Sequence, residues 1–276
     1  MLEDDASARG RRPSPGFRRC PFSPDSPNEW TTYKRVGCPI DSRGVKALAF
    51  DVFGTVVDWR GSVIREATAF GKKHGIDADW ARFADAWRAG YRPAMQKVRS
   101  GQLPWLSIDA LHRLILDDLV VEFGLRHLPE SELDQLNRAW HRLDPWPDAV
   151  PGLTRLKSRY VITTLSNGNV SLLTNMAKRV GLPWDCVVSA ELFRHYKPDP
   201  ETYVGTADLL DVAPAEMMLV ACHPDDLRAA RATGCRTGYV ERPLEVGPGQ
   251  PTPRVEPGEF DVVARDFAEL ADRLGA

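Results

Sequence analysis

Four short stretches of this sequence carry residue types that could share one reactive site. They are Asp51-Val52-Phe53-Gly54-Thr55, Ser166-Asn167-Gly168, Tyr196-Lys197-Pro198-Asp199-Pro200 and Cys222-His223-Pro224-Asp225-Asp226. Asp51 directly follows an apolar run, where a carboxylate requires compensation. Lys197 offers it: an ammonium beside a carboxylate lowers its pKa and keeps it an anionic nucleophile. Gly54 lets the chain turn sharply, and Thr55 can hydrogen-bond what sits above. Taken singly, each residue has a plainer reading. Asp51, Ser166 and Asn167 are common helix caps, and Lys197 alone is a surface lysine. All four in this order argue for a polar crevice built around a carboxylate.

Such a crevice needs elements to assemble it. Residues 45–50 form a short apolar run that reads as a buried strand, and 160–165, 186–189, 217–221, 236–240 and 261–263 read as further strands. Helical patterns lie near 169–180, 200–210, 226–233 and 266–274. Strands alternating with helices predict an α/β fold, a Rossmann-like parallel sheet with helices on both faces. Ligands of such sheets bind beyond the carboxyl ends of the strands, where the four stretches fall. Between the first two strands the pattern is helical throughout, near 62–74, 78–98, 107–123 and 131–142, with no strand expected from about 62 to 150. Ser107 and Gly124 bracket the third of these helices as cap and stop. The expected division is a core of 45–60 and 148–276 with an all-helical insert, 61–147, as a smaller second domain. Its crossings are expected at 58–61 and 145–147.

Residues 1–44 differ. They hold six of the 22 prolines, two arginine pairs and few aliphatics, so they read as a mobile extension. A basic arm and an over-long translation start are alternatives. The whole chain has 276 residues, 43% hydrophobic, enough for a full core. Lys and Arg total 36 against 38 Asp and Glu, so no basic excess points to nucleic acid. No apolar stretch approaches the length of a membrane span. Five cysteines without a CxxC pair argue against a disulfide framework or structural zinc. An acidic N-terminus without an apolar run lacks the form of a signal peptide, and the expected location is cytoplasmic.

The motif order resembles the haloacid-dehalogenase-like superfamily: a nucleophilic Asp after the first strand, Ser or Thr after the second, a Lys, and an acidic motif after the fourth. Asp51, Ser166, Lys197 and Asp226 match. The resemblance spans roughly 45–274 and implies a Rossmann-like core with a helical cap. Phosphatases of this superfamily carry Asp-x-Asp, whose second Asp protonates the leaving alkoxide. Phe53 stands there instead and cannot transfer a proton, whereas a halide leaves as a stable anion and needs none. Their paired acidic motif binds magnesium, and its earlier acid falls at Cys222, with Asp225 a partial substitute.

Local features are similar to the 2-haloacid dehalogenases: 51–58, Leu165-Ser166-Asn167-Gly168, and Tyr196-Lys197-Pro198-Asp199 followed by Tyr203. Trp87-Arg88 resembles their substrate- and halide-binding arginine, whose fork of donors suits a carboxylate or a departing anion. One motif departs. Many of these enzymes have Ser-Asn-x-x-Asp after the fourth strand and some relatives have Ala-His, where this chain has Cys222-His223. His223 is read either as a helper of the hydrolytic water or as a hydrogen-bonded structural histidine, and Pro224 as a stiffener of the loop.

The resemblance implies hydrolytic dehalogenation of short 2-haloalkanoic acids to 2-hydroxy acids. Asp51 displaces halide to form an aspartyl ester, which water then cleaves. Asp51, Lys197, Asp226 and Ser166 would form the catalytic set. Thr55, Arg88, Asn167, Phe53, Tyr203 and His223 would contact substrate or halide. No cofactor or metal is implied. The partner is a small halogenated carboxylic acid, and a homodimer is left open. Trp80, Trp87, Tyr91, Trp105, Trp140 and Trp146 crowd the insert, most as core and one or two, with Trp59 and Phe53, as walls of a dry pocket. Two other readings stand beside this one: a magnesium-dependent phosphatase acting on a small phosphomonoester, and a non-catalytic binding protein of the same fold.

Overall fold

The computed structural model describes residues 44–251 and 253–276, so the expected N-terminal extension lies outside it but for Gly44. In chain order, strand β1 (Ala47–Phe50) leads to β2 (Val57–Asp58). Helices α1 (Trp59–His74), α2 (Trp80–Ala89), α3 (Tyr91–Arg99), α4 (Ile108–Glu122) and α5 (Glu130–Asn137) follow, then a 3-10 turn at Arg138–Arg142 and strand β3 (Asp144–Pro145). The chain continues through α6 (Ala149–Lys157), β4 (Val161–Ser166), α7 (Val170–Val180), β5 (Cys186–Ser189), α8 (Pro200–Leu209), β6 (Met217–Ala221), α9 (Pro224–Ala232), β7 (Arg236–Val240), β8 (Val262–Ala264) and α10 (Phe267–Leu274).

Six strands form one parallel sheet in the order β5-β4-β1-β6-β7-β8. β1 is buried at every position because both faces are covered. Leu48 and Phe50 join one apolar cluster with Leu153 and Leu156 of α6, Leu172 and Met176 of α7 and Leu270 of α10. Ala47 and Ala49 join the opposite one with Tyr203 and Ala207 of α8 and Leu227 and Ala230 of α9. From β1 the chain passes to β4 and β5 on one side, then crosses to β6 on the other. This reversal opens a crevice above the carboxyl end of β1, and Asp51 is the next residue.

The helical stretch leaves and re-enters through a two-stranded antiparallel ribbon, β2 with β3, pairing Val57 with Pro145 and Asp58 with Asp144. Asp58 caps α1 by accepting from the Gly61 N–H. The Trp146 backbone N–H donates to the Val56 carbonyl and its indole to the Gly54 carbonyl at 2.7 Å. The apolar cluster of the sheet's first face runs on through Phe53, Val57 and Trp59 into Trp87, Leu111 and Trp140 of the helical stretch.

Four local expectations differ from the structure. The pattern near 78–98 is two helices that meet at Gly90, because Pro93 has no N–H to continue the ladder; a Cβ at Gly90 would lie 2.5 Å from the Ile115 side chain. Helix α6 has no counterpart in the sequence reading; its Pro151 stands in the first turn, where a missing N–H has no partner to lose. A two-residue strand, β3, lies inside the stretch expected to be strandless. Pro224 is the first residue of α9 rather than a loop residue, which brings Asp226 into the first turn, where a carboxylate is favoured.

One buried ion pair braces the loop that carries Asp51. The Arg242 guanidinium donates to the Thr55 carbonyl at 2.8 Å and forks onto both oxygens of Asp148 at 2.9 Å. Replacing Asp148 by Ala leaves this guanidinium buried without its partner, a defect that costs about 3–5 kcal/mol. Urea denaturation of Asp148→Ala is expected to show a loss of that size with an unchanged m value. A loss below about 1 kcal/mol would mean that the pair behaves as a surface contact.

Candidate active site

Asp51 is 6% exposed and takes hydrogen bonds from three side chains. Lys197 Nζ donates to Oδ1 at 2.8 Å, Thr55 Oγ1 donates to Oδ2 at 2.7 Å, and His223 Nδ1 lies 3.1 Å from Oδ2. The Thr55 hydroxyl is aimed by its surroundings: it accepts from the Cys222 backbone N–H at 3.0 Å, so its own proton is left for Asp51. Burial alone would raise the Asp51 carboxyl. Lys197, and after it His223, outweigh burial and hold the carboxyl well below the usual carboxylate range.

Lys197 is shared. Its ammonium also donates to Asp226 Oδ2 at 2.5 Å, and the Tyr203 hydroxyl donates to Asp226 Oδ1 at 2.5 Å. Burial acts to lower the lysine's pKa, but Asp226 and Asp51 together push it above the ordinary value. Tyr203, expected among the substrate contacts, thus spends its hydroxyl on Asp226, within the apolar cluster between α8 and α9.

The other expected residues fall around this centre in different ways. Ser166, at the end of β4, is fully buried, and its hydroxyl accepts the Gly168 N–H, shaping the turn. Asn167 accepts the Lys197 backbone N–H at 2.7 Å and so holds the loop bearing the ammonium. Its amide also reaches Met95 Sδ on α3, at 3.6 Å. Phe53 packs edge-on against Trp140, with ring centroids 5.9 Å apart. Arg88, in the last turn of α2, lies over the rings of Trp59 (5.3 Å) and Tyr91 (4.6 Å). Its Nη1 is buried with no hydrogen-bond partner among the described residues. The crowded tryptophans divide: Trp59 and Trp140 stack beside Phe53, while Trp80 packs on Phe83 and Trp105 on Tyr196.

Two residues of this region carried no sequence signal. Glu245, on the loop after β7, has a carboxylate that meets donors from three sides: His223 Nε2 at 2.8 Å, the Cys222 thiol at 3.6 Å and the Trp59 indole at 3.4 Å. His112, on α4, is 1% exposed and stacks on Trp140 with centroids 4.1 Å apart. Burial lowers its pKa to about 3, so the ring is neutral. Neither residue stands in a recognisable motif.

Cys222, His223 and Glu245 bring a thiol, an imidazole and a carboxylate within 4.8 Å of one another. Both imidazole nitrogens are already engaged, one on Asp51 and one on Glu245. Burial raises the Cys222 thiol, which keeps it neutral. A neutral thiol is no ligand for a hard cation such as magnesium. The three form a hydrogen-bonded network. Two surface clefts, of about 310 and 190 Å³, lie against the helical stretch, the first lined by Gly71 and Trp80 and the second by Phe70 and Arg142; neither contains Asp51 or its partners.

Residues 45–234 match the family model described as haloacid dehalogenase-like hydrolase. The (S)-2-haloacid dehalogenase 4A of Burkholderia cepacia is 29% identical over 220 residues, covering 72% of this chain and 84% of that protein. The solved structure of an L-2-haloacid dehalogenase superposes with a TM-score of 0.79 at 46% identity, over 84% of this chain and all of the other. That of a defluorinating L-2-haloacid dehalogenase gives 0.82 at 45% identity, over 87% of this chain and all of the other.

Removing the ammonium between the two carboxylates has a consequence that can be read without any assay of turnover. In the native protein the depressed Asp51 contributes stability above its unfolded value of about 3.9, lost only as pH falls below it. Lys197→Met leaves an excess negative charge in the buried site, costing about 3–5 kcal/mol at neutral pH. That cost is relieved when a carboxylate takes up a proton. Denaturation from pH 7 down to 4 is therefore expected to show the variant gaining stability relative to the native protein. A constant difference across this range would mean that the site is open to solvent screening.

Proposed function

The chain belongs to the haloacid dehalogenase-like hydrolases, and from that premise we infer that it hydrolyses short L-2-haloalkanoic acids to 2-hydroxy acids. One observation carries the choice between the family's chemistries. The carboxylate of Asp51 is held as an anion, and the residue two places on, where a phosphatase needs an acid, is the buried aromatic wall of Phe53. A leaving alkoxide would find no proton there, whereas a leaving halide needs none.

Asp51 Oδ1 accepts from one side chain and Oδ2 from two, so Oδ1 keeps a lone pair free for attack on the halogen-bearing carbon. Attack from behind expels halide and leaves an ester on Asp51. Lys197 orients the nucleophile, and Asp226, steadied by Tyr203, keeps Lys197 in place. Thr55 remains on Oδ2, which becomes the ester carbonyl oxygen and then the oxyanion during hydrolysis. Arg88, with an unpartnered donor above Trp59 and Tyr91, receives the halide or the substrate carboxylate, together with Asn167. Ser166 shapes the loop that presents Asn167.

Helices α1–α5 act as a cap over this chemistry. Phe53, Trp59 and Trp140 make a dry wall beside Asp51, and the ribbon β2–β3 is the hinge about which the cap opens to admit substrate. No step calls for a metal, and the Cys222 thiol does not complete a magnesium site.

Halide release from L-2-chloropropanoate, with chelator present, is expected for the native enzyme and abolished in Asp51→Asn. A single turnover in ¹⁸O-water is expected to place the label in Asp51 and none in the first product molecule. Arg88→Met is expected to lower kcat/KM by about 100-fold or more, the loss of a charged hydrogen bond of about 3 kcal/mol. Fluoroacetate belongs in the same series, given the defluorinating relative. Magnesium-dependent phosphate release from a phosphomonoester without halide release would overturn the reading in favour of the phosphatase.

A further inference from the structure

We propose that Glu245 is a positioning residue for the second half of this reaction: it holds His223 in the tautomer whose Nδ1 takes a proton from the water that cleaves the Asp51 ester. The inference rests on the dehalogenase reading above. Its warrant is a line of three groups. Asp51 Oδ2, His223 Nδ1 and Nε2, and Glu245 Oε1 follow one another with separations of 3.1 and 2.8 Å. The imidazole bridges the nucleophile and a second carboxylate that no motif contains.

The line is built from separate parts of the chain. Glu245 is carried by the loop after β7, and its backbone N–H donates to the carbonyl of Arg242, the residue that also braces Thr55. Its carboxylate is 13% exposed and is fixed by the Cys222 thiol and the Trp59 indole. Gly54 makes the approach possible. A Cβ at that position would lie 2.2 Å from Glu245 Oε1, and its φ of +88° also favours glycine. The turn after the nucleophile thus admits a carboxylate from across the crevice.

The charge on Asp51 sets what His223 can do. In the resting state the ring lies between two carboxylates, and although burial works against its protonation, hydrogen bonds to Asp51 and Glu245 raise its pKa well above the ordinary value. Tyr239 of β7 and, through Glu245, Arg88 of α2 are the other ionisable groups about it. Alkylation makes Asp51 a neutral ester and expels halide. The imidazolium then faces one carboxylate instead of two and releases a proton to solvent, the net proton of the overall reaction. The proton that stays is on Nε2, because Glu245 accepts there, and Nδ1 presents its lone pair toward the ester.

The balance then closes. A water gives one proton to Nδ1 while its oxygen bonds to the Asp51 carbonyl carbon. Collapse breaks the bond from that carbon to the substrate oxygen, and the departing alkoxide takes the second proton of the former water. Asp51 is again a carboxylate, His223 again an imidazolium, and the product is the 2-hydroxy acid.

Rapid-quench reaction of the full chain with L-2-chloropropanoate separates the two halves, with halide measured in solution and the ester measured as a mass increase of the protein. Glu245→Ala and Glu245→Gln are expected to release a first equivalent of halide at a rate within about threefold of native. Ester hydrolysis is expected to slow by about 10- to 100-fold in Glu245→Ala, so that the ester accumulates. Glu245→Gln keeps an acceptor for Nε2–H without the charge. It is expected to recover part of the hydrolysis rate, with the rise of that rate against pH shifted to lower pH, because an imidazole without an anionic neighbour deprotonates sooner. Unchanged hydrolysis in both variants, or an unshifted pH profile in Glu245→Gln, would overturn the role of Glu245. Absence of any halide burst from the native protein would instead overturn the dehalogenase reading on which it rests.

Discussion

Lys197 stands between two buried carboxylates, and the arrangement of the core serves to keep it there. A lone ammonium at 6% side-chain exposure would be costly, and so would either carboxylate. Together, with Thr55 and Tyr203 supplying the remaining hydrogen bonds, they satisfy one another. The three charged groups come from the end of β1, the loop before α8 and the first turn of α9. Only a sheet whose strand order reverses at β1 brings these three places to one point. The anionic state of Asp51 is therefore a property of the topology as much as of the residue itself.

A second balance surrounds the first. Three carboxylates (Asp51, Asp226 and Glu245) share the region with Lys197, His223 and Arg88, so no net charge need be buried. A magnesium-dependent site would add a dication and require further acids. Here the position of one such acid is a neutral thiol, and the position of the proton donor is a phenyl ring that walls the pocket. Both departures act in the same direction, toward a site in which an anion attacks and an anion leaves.

The helical stretch is joined to the sheet in two ways with different consequences. Its apolar core is continuous with one face of the sheet through Phe53, Trp59 and Trp140, which excludes water from the neighbourhood of Asp51. Its covalent connection is only the two-residue ribbon of β2 and β3. Polar contacts across the gap, such as Arg99 with the Tyr196 carbonyl and Asp109 with Asn169, link the insert to the loop bearing Lys197 and to the start of α7.

Much of this was legible in the sequence because its signals are local. Apolar runs marked all six strands of the sheet to within a residue or two, since strands buried on both faces cannot alternate. Asp51, Ser166 and Asp226 stand in short motifs at or just after strand ends and Lys197 in one before α8, and the alternation of strands with helices told which ends converge. What only the tertiary structure decided is what depends on groups far apart in the chain. Glu245 has no motif, and its meeting with His223 depends on the missing side chain of Gly54, 191 positions away. Tyr203 looked like a substrate contact in the motif, yet its orientation toward Asp226 is set by the packing of α8 on α9. Helix α6 starts just after Asp148, which the distant Arg242 holds through both carboxylate oxygens, and its Pro151 lies in the first turn, where a proline is tolerated. Residue type specifies which chemistry a group can perform, while its protonation state and partner are set by what folding places within about 3 Å of it.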